Sequence, residues 1–324
     1  LIVSVVQTID DAVASYKFID AKIDAQFSVS CMAYDPHTER LAVTVTETAG
    51  HERIDVLSTQ GIPELLSSIR PPNGDGMRVQ CFTRGGRLLY MTPGGLVSSG
   101  LDGGEDVVLP LGPPGGACEL PDGRLLLGGY RLRLWEDGAP LREFEDKVPV
   151  SARHVGVSPS GRFAFSAGDE PYVRLWDVAS GAQARRLAIR GGFVSCAAFS
   201  PDGTTLAYGG GVNKKSSAAE AVRLLNVDKK WSEGGALALP DGPMVGGLCF
   251  SADGERLCVS QHRRGHSDGA ISVWDWRAGV CLHTIQIPAG TSRRYASEVA
   301  ISADGRRVIV YLCPDARVLV FETP

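Results

Sequence analysis

Apolar and polar residues alternate in short runs along most of this chain, the two-residue period of half-buried β-strands. Arg162-Phe163-Ala164-Phe165 and Arg256-Leu257-Cys258-Val259 show the pattern, each running straight out of a turn. The turn belongs to a unit that recurs. Phe199-Ser200-Pro201-Asp202-Gly203 returns as Phe250-Ser251-Ala252-Asp253-Gly254, Ile301-Ser302-Ala303-Asp304-Gly305 and Val157-Ser158-Pro159-Ser160-Gly161. Weaker copies are Leu120-Pro121-Asp122-Gly123, Phe82-Thr83-Arg84-Gly85-Gly86 and Tyr34-Asp35-Pro36-His37-Thr38. The turn position falls at 38, 86, 123, 161, 203, 254 and 305, a mean spacing of about 44 residues.

Each copy predicts four strands. An apolar strand enters the turn, and a second leaves it with alternating apolar residues. A third follows, as in Leu132-Arg133-Leu134-Trp135-Glu136, Val173-Arg174-Leu175-Trp176-Asp177 and Ile271-Ser272-Val273-Trp274-Asp275. After a turn such as Ala179-Ser180-Gly181 comes a fourth, for example Ala184-Arg185-Arg186-Leu187-Ala188-Ile189. Four antiparallel strands cannot bury both faces alone, whereas seven such units arranged radially can.

Period, Ser-Pro-Asp-Gly turn and Trp-Asp ending together resemble the WD40-repeat family, over roughly residues 13–324. The resemblance implies an all-β, seven-bladed β-propeller of four-stranded antiparallel blades that acts as a rigid platform for protein partners. The blades are expected near 29–69, 77–110, 116–146, 152–189, 193–240, 244–287 and 296–324, the last completed by 13–19. The copies diverge from the family pattern. Trp followed by an acid occurs only at 135, 176 and 274, and Leu57-Ser58, Ser99-Gly100, Leu225-Asn226 and Phe321-Glu322 fill the other slots. Gly50-His51 and Gly265-His266 sit ahead of third strands, out of register with the family's Gly-His pair. Packing between blades must therefore rest on apolar contacts.

Because the chain stops after Val318-Leu319-Val320-Phe321, the last blade needs a strand from elsewhere, and an unpaired edge would invite aggregation. Ala14-Ser15-Tyr16-Lys17-Phe18-Ile19 is expected to pair with 317–322 and close the ring. Residues 1–12 read as an extra edge strand or the tail of a preceding domain. With no Met at position 1, a trimmed chain or an excerpt of a longer or tandem-propeller protein is expected.

Composition agrees with many short strands: 39 glycines in 324 residues is about 12%, above the usual ~7%. There is no apolar run long enough for a membrane span and no signal-peptide pattern. A net charge of −4 argues against whole-surface attraction to nucleic acid or anionic lipid. None of Asn73, Asn213 and Asn226 begins a glycosylation acceptor, so an intracellular, cytoplasmic chain is expected.

The eight cysteines fall on repeat positions. Cys31 and Cys196 lie three residues before the residue that precedes the turn, and Cys81, Cys118 and Cys249 lie one before it. These are expected as small hydrophobes near a narrow hub. No Cys-x-x-Cys pair is present, and neither a metal nor a cofactor is expected. Catalytic signatures fail as well. Gly156-Val157-Ser158-Pro159-Ser160 lacks the last glycine of a nucleophile elbow, and His51-Glu52 has no second histidine in place. Gly209–Ser216 lacks the ending of a phosphate-binding loop. His154 alone among the histidines lies on an inner strand.

Charge placement carries more. Loops joining second to third strands and fourth to next first strands share one face of such a ring. There the fifth blade brings Lys214 and Lys215, the sixth brings Arg263, Arg264 and His266, and the link to the seventh brings Arg293, Arg294 and Tyr295. Arginine forks suit carboxylate or phosphate. The expected function is a non-catalytic protein-interaction scaffold that binds an acidic or phosphorylated segment there. The alternatives are a phosphate-directed module binding RNA or phosphoinositide, and an enzyme using the central channel. His262-Arg263-Arg264-Gly265 is similar to the Arg-Arg-Gly motif of phosphoinositide-binding propellers, but lies between second and third strands rather than at the end of a fourth.

Overall fold

A computed structural model describes residues 2–11, 14–22, 28–46, 51–60, 63–70, 76–101, 104–109, 115–144, 152–168, 172–188, 192–212, 222–228, 231–239, 244–262, 269–287, 295–313 and 317–323. All of the regular structure among them is β. Two strands come first, β1 (Ile2–Asp11) and β2 (Ala14–Lys22). The first repeat supplies β3 (Ser28–Asp35), β4 (Arg40–Thr46), β5 (Glu52–Ser58) and β6 (Glu64–Ile69). The second supplies β7 (Arg78–Phe82), β8 (Arg87–Thr92), β9 (Gly95–Gly100) and β10 (Val107–Leu109). The third is β11 (Ala117–Glu119), β12 (Leu125–Leu127), β13 (Arg133–Glu136) and β14 (Ala139–Glu143). The fourth is β15 (Ala152–Val157), β16 (Phe163–Gly168), β17 (Tyr172–Asp177) and β18 (Gln183–Ala188). The fifth is β19 (Gly192–Phe199), β20 (Thr205–Val212), β21 (Val222–Asn226) and β22 (Ser232–Leu237). The sixth is β23 (Met244–Phe250), β24 (Arg256–His262), β25 (Gly269–Asp275) and β26 (Val280–Gln286). The seventh contributes β27 (Tyr295–Ile301), β28 (Arg307–Cys313) and β29 (Arg317–Glu322).

The first four repeats each form a separate four-stranded antiparallel sheet. The fifth and sixth differ from the expected pair of separate blades, because they are joined into one eight-stranded sheet. A single pair, Gly211↔Met244, makes the join, where the glycine-rich end of β20 meets the start of β23. The seventh repeat belongs to a five-stranded sheet ordered β1-β2-β29-β28-β27. In it β2 runs antiparallel to β29, from Lys17↔Glu322 to Lys22↔Arg317, and β1 pairs along the other edge of β2. The paired stretch thus starts three residues later than the Ala14 of the sequence expectation.

The turn chemistry explains why Ser-x-Asp-Gly recurs. Ser302 Oγ donates to Asp304 Oδ1 at 2.6 Å, and that oxygen accepts the Arg306 N–H at 3.0 Å. Ser302 Oγ in turn accepts the Arg307 N–H at 2.9 Å, so one serine and one aspartate satisfy the hairpin's loose donors. The same contacts link Ser200, Asp202 and Thr205, and Ser251, Asp253 and Arg256. Gly203, Gly254 and Gly305 follow at φ near +72°, a conformation that glycine adopts without strain.

Among the described residues seven apolar clusters lie between successive repeats. Leu41, Val43 and Leu57 of the first pack against Ile309, Val318 and Val320 of the seventh, while Ala42, Ile54 and Val56 pack against Leu88 and Tyr90 of the second. Second strands such as β4 and β16 are buried on both faces for this reason, whereas fourth strands such as β14 and β18 face water. Among the described residues no helix is long and apolar enough to cross a membrane.

Candidate functional site

The inner strand of every repeat contributes to one central cavity of about 540 Å³. Its wall includes Met32 and Tyr34 on β3, Val79 on β7, Val155 on β15, Cys196 on β19, Leu248 on β23 and Val299 on β27. Small residues widen it: Gly115, Gly116 and Ala117 on the third repeat, and Gly246 and Gly247 on the sixth. At Gly115 the close approach is structural. A Cβ there would lie 2.0 Å from the Ala152 carbonyl oxygen, so glycine lets β11 lie against β15.

The same wall carries Arg78, Gln80, Arg153, His154 and Glu298. Repeat alignment shows how the fold gathers the charged four. Four residues before the residue that enters the turn stand Ser30, Arg78, Gly115, Arg153, Ser195, Gly246 and Ser297. One residue further on stand Cys31, Val79, Gly116, His154, Cys196, Gly247 and Glu298. Two adjacent tiers of the hub are thus small or apolar except for two arginines, one histidine and one glutamate.

Local contacts fix part of this group. Glu298 Oε2 accepts the Met32 N–H at 2.7 Å, tying the seventh repeat to the first. Gln80 Oε1 accepts the Ala117 N–H at 2.9 Å and ties the second to the third. Burial raises the Glu298 pKa to about 7, against the opposing effects of the Met32 N–H and the Arg78 charge. His154 is shifted down, first by burial and then by the positive charges of Arg153 and Arg78. Near neutral pH His154 is therefore uncharged and Glu298 is close to half protonated. Arg78 and Arg153 remain as fixed cations open to the cavity.

Of the residues singled out in the sequence, Lys214, Lys215, Arg263, Arg264, His266, Arg293 and Arg294 lie outside the described residues. Tyr295 opens β27, and its side chain is likewise outside them. The strand ends that lead to these segments are described. Val212 at the end of β20 pairs with Gly192, and His262 at the end of β24 pairs with Met244, each at the start of an inner strand. That is the end of the hub where Arg78 and Arg153 stand.

Sequence reasoning placed His154 on an inner strand without giving it a role, and passed over Arg78, Arg153, Gln80 and Glu298. The signal was present as the only charged residues in two otherwise small or apolar hub tiers. The hub cysteines divide. Cys196 and Cys249 line the cavity, while Cys81 and Cys118 pack against clusters beside it. Burial pushes the Cys81 thiol up to about 12 and raises those of Cys118 and Cys258 as well. These are protonated, inert packing groups at neutral pH.

No family model matches the chain. Over 173 residues it is 27% identical to an uncharacterized WD repeat-containing protein of Deinococcus radiodurans, covering 48% of this chain and 62% of that protein's length. Its fold is similar to that of Kuenenia stuttgartiensis hydrazine synthase, with a TM-score of 0.70 at 15% identity, covering 94% of this chain and 97% of the other. The chain is an all-β propeller built from antiparallel four-stranded units.

Proposed function

We propose that this chain is a non-catalytic interaction platform, a seven-bladed ring closed by β2, which receives an acidic or phosphorylated segment of a partner protein. The seven-blade count is supported by the seven apolar clusters, one between each pair of neighbouring repeats and one between the last and the first. The eight-stranded sheet is then two blades that touch at Gly211↔Met244. The observation that carries the binding reading is the placement of Arg78 and Arg153 at one end of the hub. The strands ending there lead into Lys214, Lys215, Arg263, Arg264 and His266, and β27 begins there after Arg293 and Arg294. Guanidinium forks match carboxylate and phosphate oxygens at that face.

The test is a panel of acidic and phosphorylated peptides, titrated against the wild type and a variant with Arg263, Arg264, Arg293 and Arg294 changed to Glu. Circular dichroism reports whether the variant folds. Sequence-selective binding that the variant loses supports the platform, and binding that the variant retains refutes the basic face. Steep salt dependence without peptide preference favours RNA or phosphoinositide instead.

A second, catalytic reading is favoured by Glu298, which exchanges a proton near neutral pH inside the same cavity as His154. The hydrazine synthase named above is an enzyme, but at 15% identity the likeness carries the fold alone. In the catalytic reading Glu298→Gln abolishes turnover and leaves peptide binding at the rim intact.

A further inference from the structure

We infer that the hub cavity is itself a ligand site, which takes the anionic head of a compact organic acid and lays its apolar body against the cavity wall. The site shares Arg78 and Arg153 with the platform reading but does not need its basic loops, and it stands or falls without them.

Size comes first. About 540 Å³ lies within the roughly 300–1,000 Å³ of small-molecule sites, which are mostly apolar with a few converging polar groups. Val79, Val155, Phe165 and Leu248 supply apolar wall here, and the missing side chains at Gly246 and Gly247 leave room on the sixth repeat. The polar groups have one dominant sign. Arg78 and Arg153 are permanent cations, and among the described residues no ion pair joins Arg78 to a carboxylate. Among the described residues Glu298 is the only carboxylate in the wall, and its Oε2 is already engaged by the Met32 N–H. An anion entering beside Arg78 and Arg153 meets two forks, the neutral imidazole of His154 as a further donor, and Glu298 as a proton donor once protonated. Neither positively charged nor purely apolar ligands gain from that arrangement.

Occupancy by a carboxylate or a phosphate monoester satisfies the same donors, and the head has two possible sources, a free acid or a peptide chain end. Calorimetric titration separates these cases, using benzoate, phenyl phosphate, inorganic phosphate, neutral benzamide, and a pentapeptide ending in phenylalanine with a free or amidated C-terminus. Saturable binding of benzoate or phenyl phosphate, with benzamide silent, supports the site with a free acid as occupant. Tighter binding of the free-carboxylate peptide than of benzoate supports it with a chain end as occupant. Arg78→Gln with Arg153→Gln weakens either by ~10-fold or more, the worth of a lost charge-assisted hydrogen bond. The loop variant with Arg263, Arg264, Arg293 and Arg294 changed to Glu keeps it. Should the double glutamine variant fail to fold, Arg78→Lys with Arg153→Lys keeps the charge and loses the forks, and the same loss is expected. Binding unchanged in a folded hub variant, or no anion bound at all, overturns the inference. Equal affinity for inorganic and phenyl phosphate overturns the role of the apolar wall.

Discussion

Replacing Glu298 with glutamine tests the hub electrostatics most directly. Glutamine keeps an oxygen to accept the Met32 N–H and removes the titration. In the folded chain burial moves the Glu298 pKa from 4.5 to about 7. A carboxyl whose pKa is raised on folding binds its proton more tightly in the native state than in the unfolded one. Its contribution is therefore most favourable below 4.5 and is lost as pH rises toward and through 7. At 1.36 kcal/mol per pH unit, the loss between pH 5 and pH 8 is about 2.5 kcal/mol. His154 acts in the opposite direction, since its lowered pKa makes stability rise with pH up to about its ordinary 6.5, but it is common to both proteins and cancels in their difference. The charge that acts on Glu298 from another strand is that of Arg78 on β7, a permanent cation. Urea unfolding of both proteins at pH 5 and pH 8 is the assay. Glu298→Gln should gain about 2.5 kcal/mol on the wild type between the two pH values. A difference that stays constant with pH would mean that the carboxyl is not enclosed by the hub and would remove it from the site.

Three further outcomes follow from local contacts. Trp176 Nε1 donates to Ser166 Oγ at 3.0 Å, whereas the buried Trp135 Nε1 has no acceptor among the described residues. Trp176→Phe should therefore cost about 1–2 kcal/mol more than Trp135→Phe by denaturant unfolding. Gly115→Ala forces a Cβ against the Ala152 carbonyl and should destabilise by about 1–3 kcal/mol, read as a lower Tm in calorimetry. Arg307 Nη1 bridges Glu39 Oε2 and the Thr59 carbonyl, both at 2.9 Å, across the seam between last and first repeats. Arg307→Ala should cost about 1–2 kcal/mol, visible as faster proteolysis near residues 36–60.

The repeat was legible because its turn is a chemical device. Ser302, Asp304 and Gly305 are each required by a hydrogen bond or a positive φ, so the motif survives wherever the hairpin does. The strand pattern was legible for the same kind of reason, since Leu257 and Val259 face one neighbour and Cys258 the other. The hub was not. Its residues are set by distance from the ring axis rather than by any local period, and a lone Arg78 or Glu298 in a short strand reads as an ordinary surface charge. Only superposing the repeats brings Arg153 and Glu298 into adjacent tiers. The fusion of the fifth and sixth sheets was also out of reach. It depends on one bridge at Gly211, where the lack of side chains in Gly209-Gly210-Gly211 lets two backbones meet.

A repeat protein contains its own control experiment. The same inner-strand backbone recurs around the hub, and in the third, fifth and sixth repeats the two tiers are filled by glycine, serine and cysteine. Those strands show that the ring does not need charge at these positions in order to pack. Arg78 and Arg153 are exposed to the cavity, but enclosing the Glu298 carboxyl is costly, and such a group stabilises a fold less than an apolar residue of similar size does. The hydrogen bond from Met32 to Glu298 does not explain the choice either, since the uncharged Gln80 makes an equivalent contact to Ala117. A charge that costs stability, at a position where its neighbours manage without one, is best explained by something that enters the cavity to meet it. Arg78, Arg153, His154 and Glu298 are therefore read as a binding group rather than as part of the scaffold.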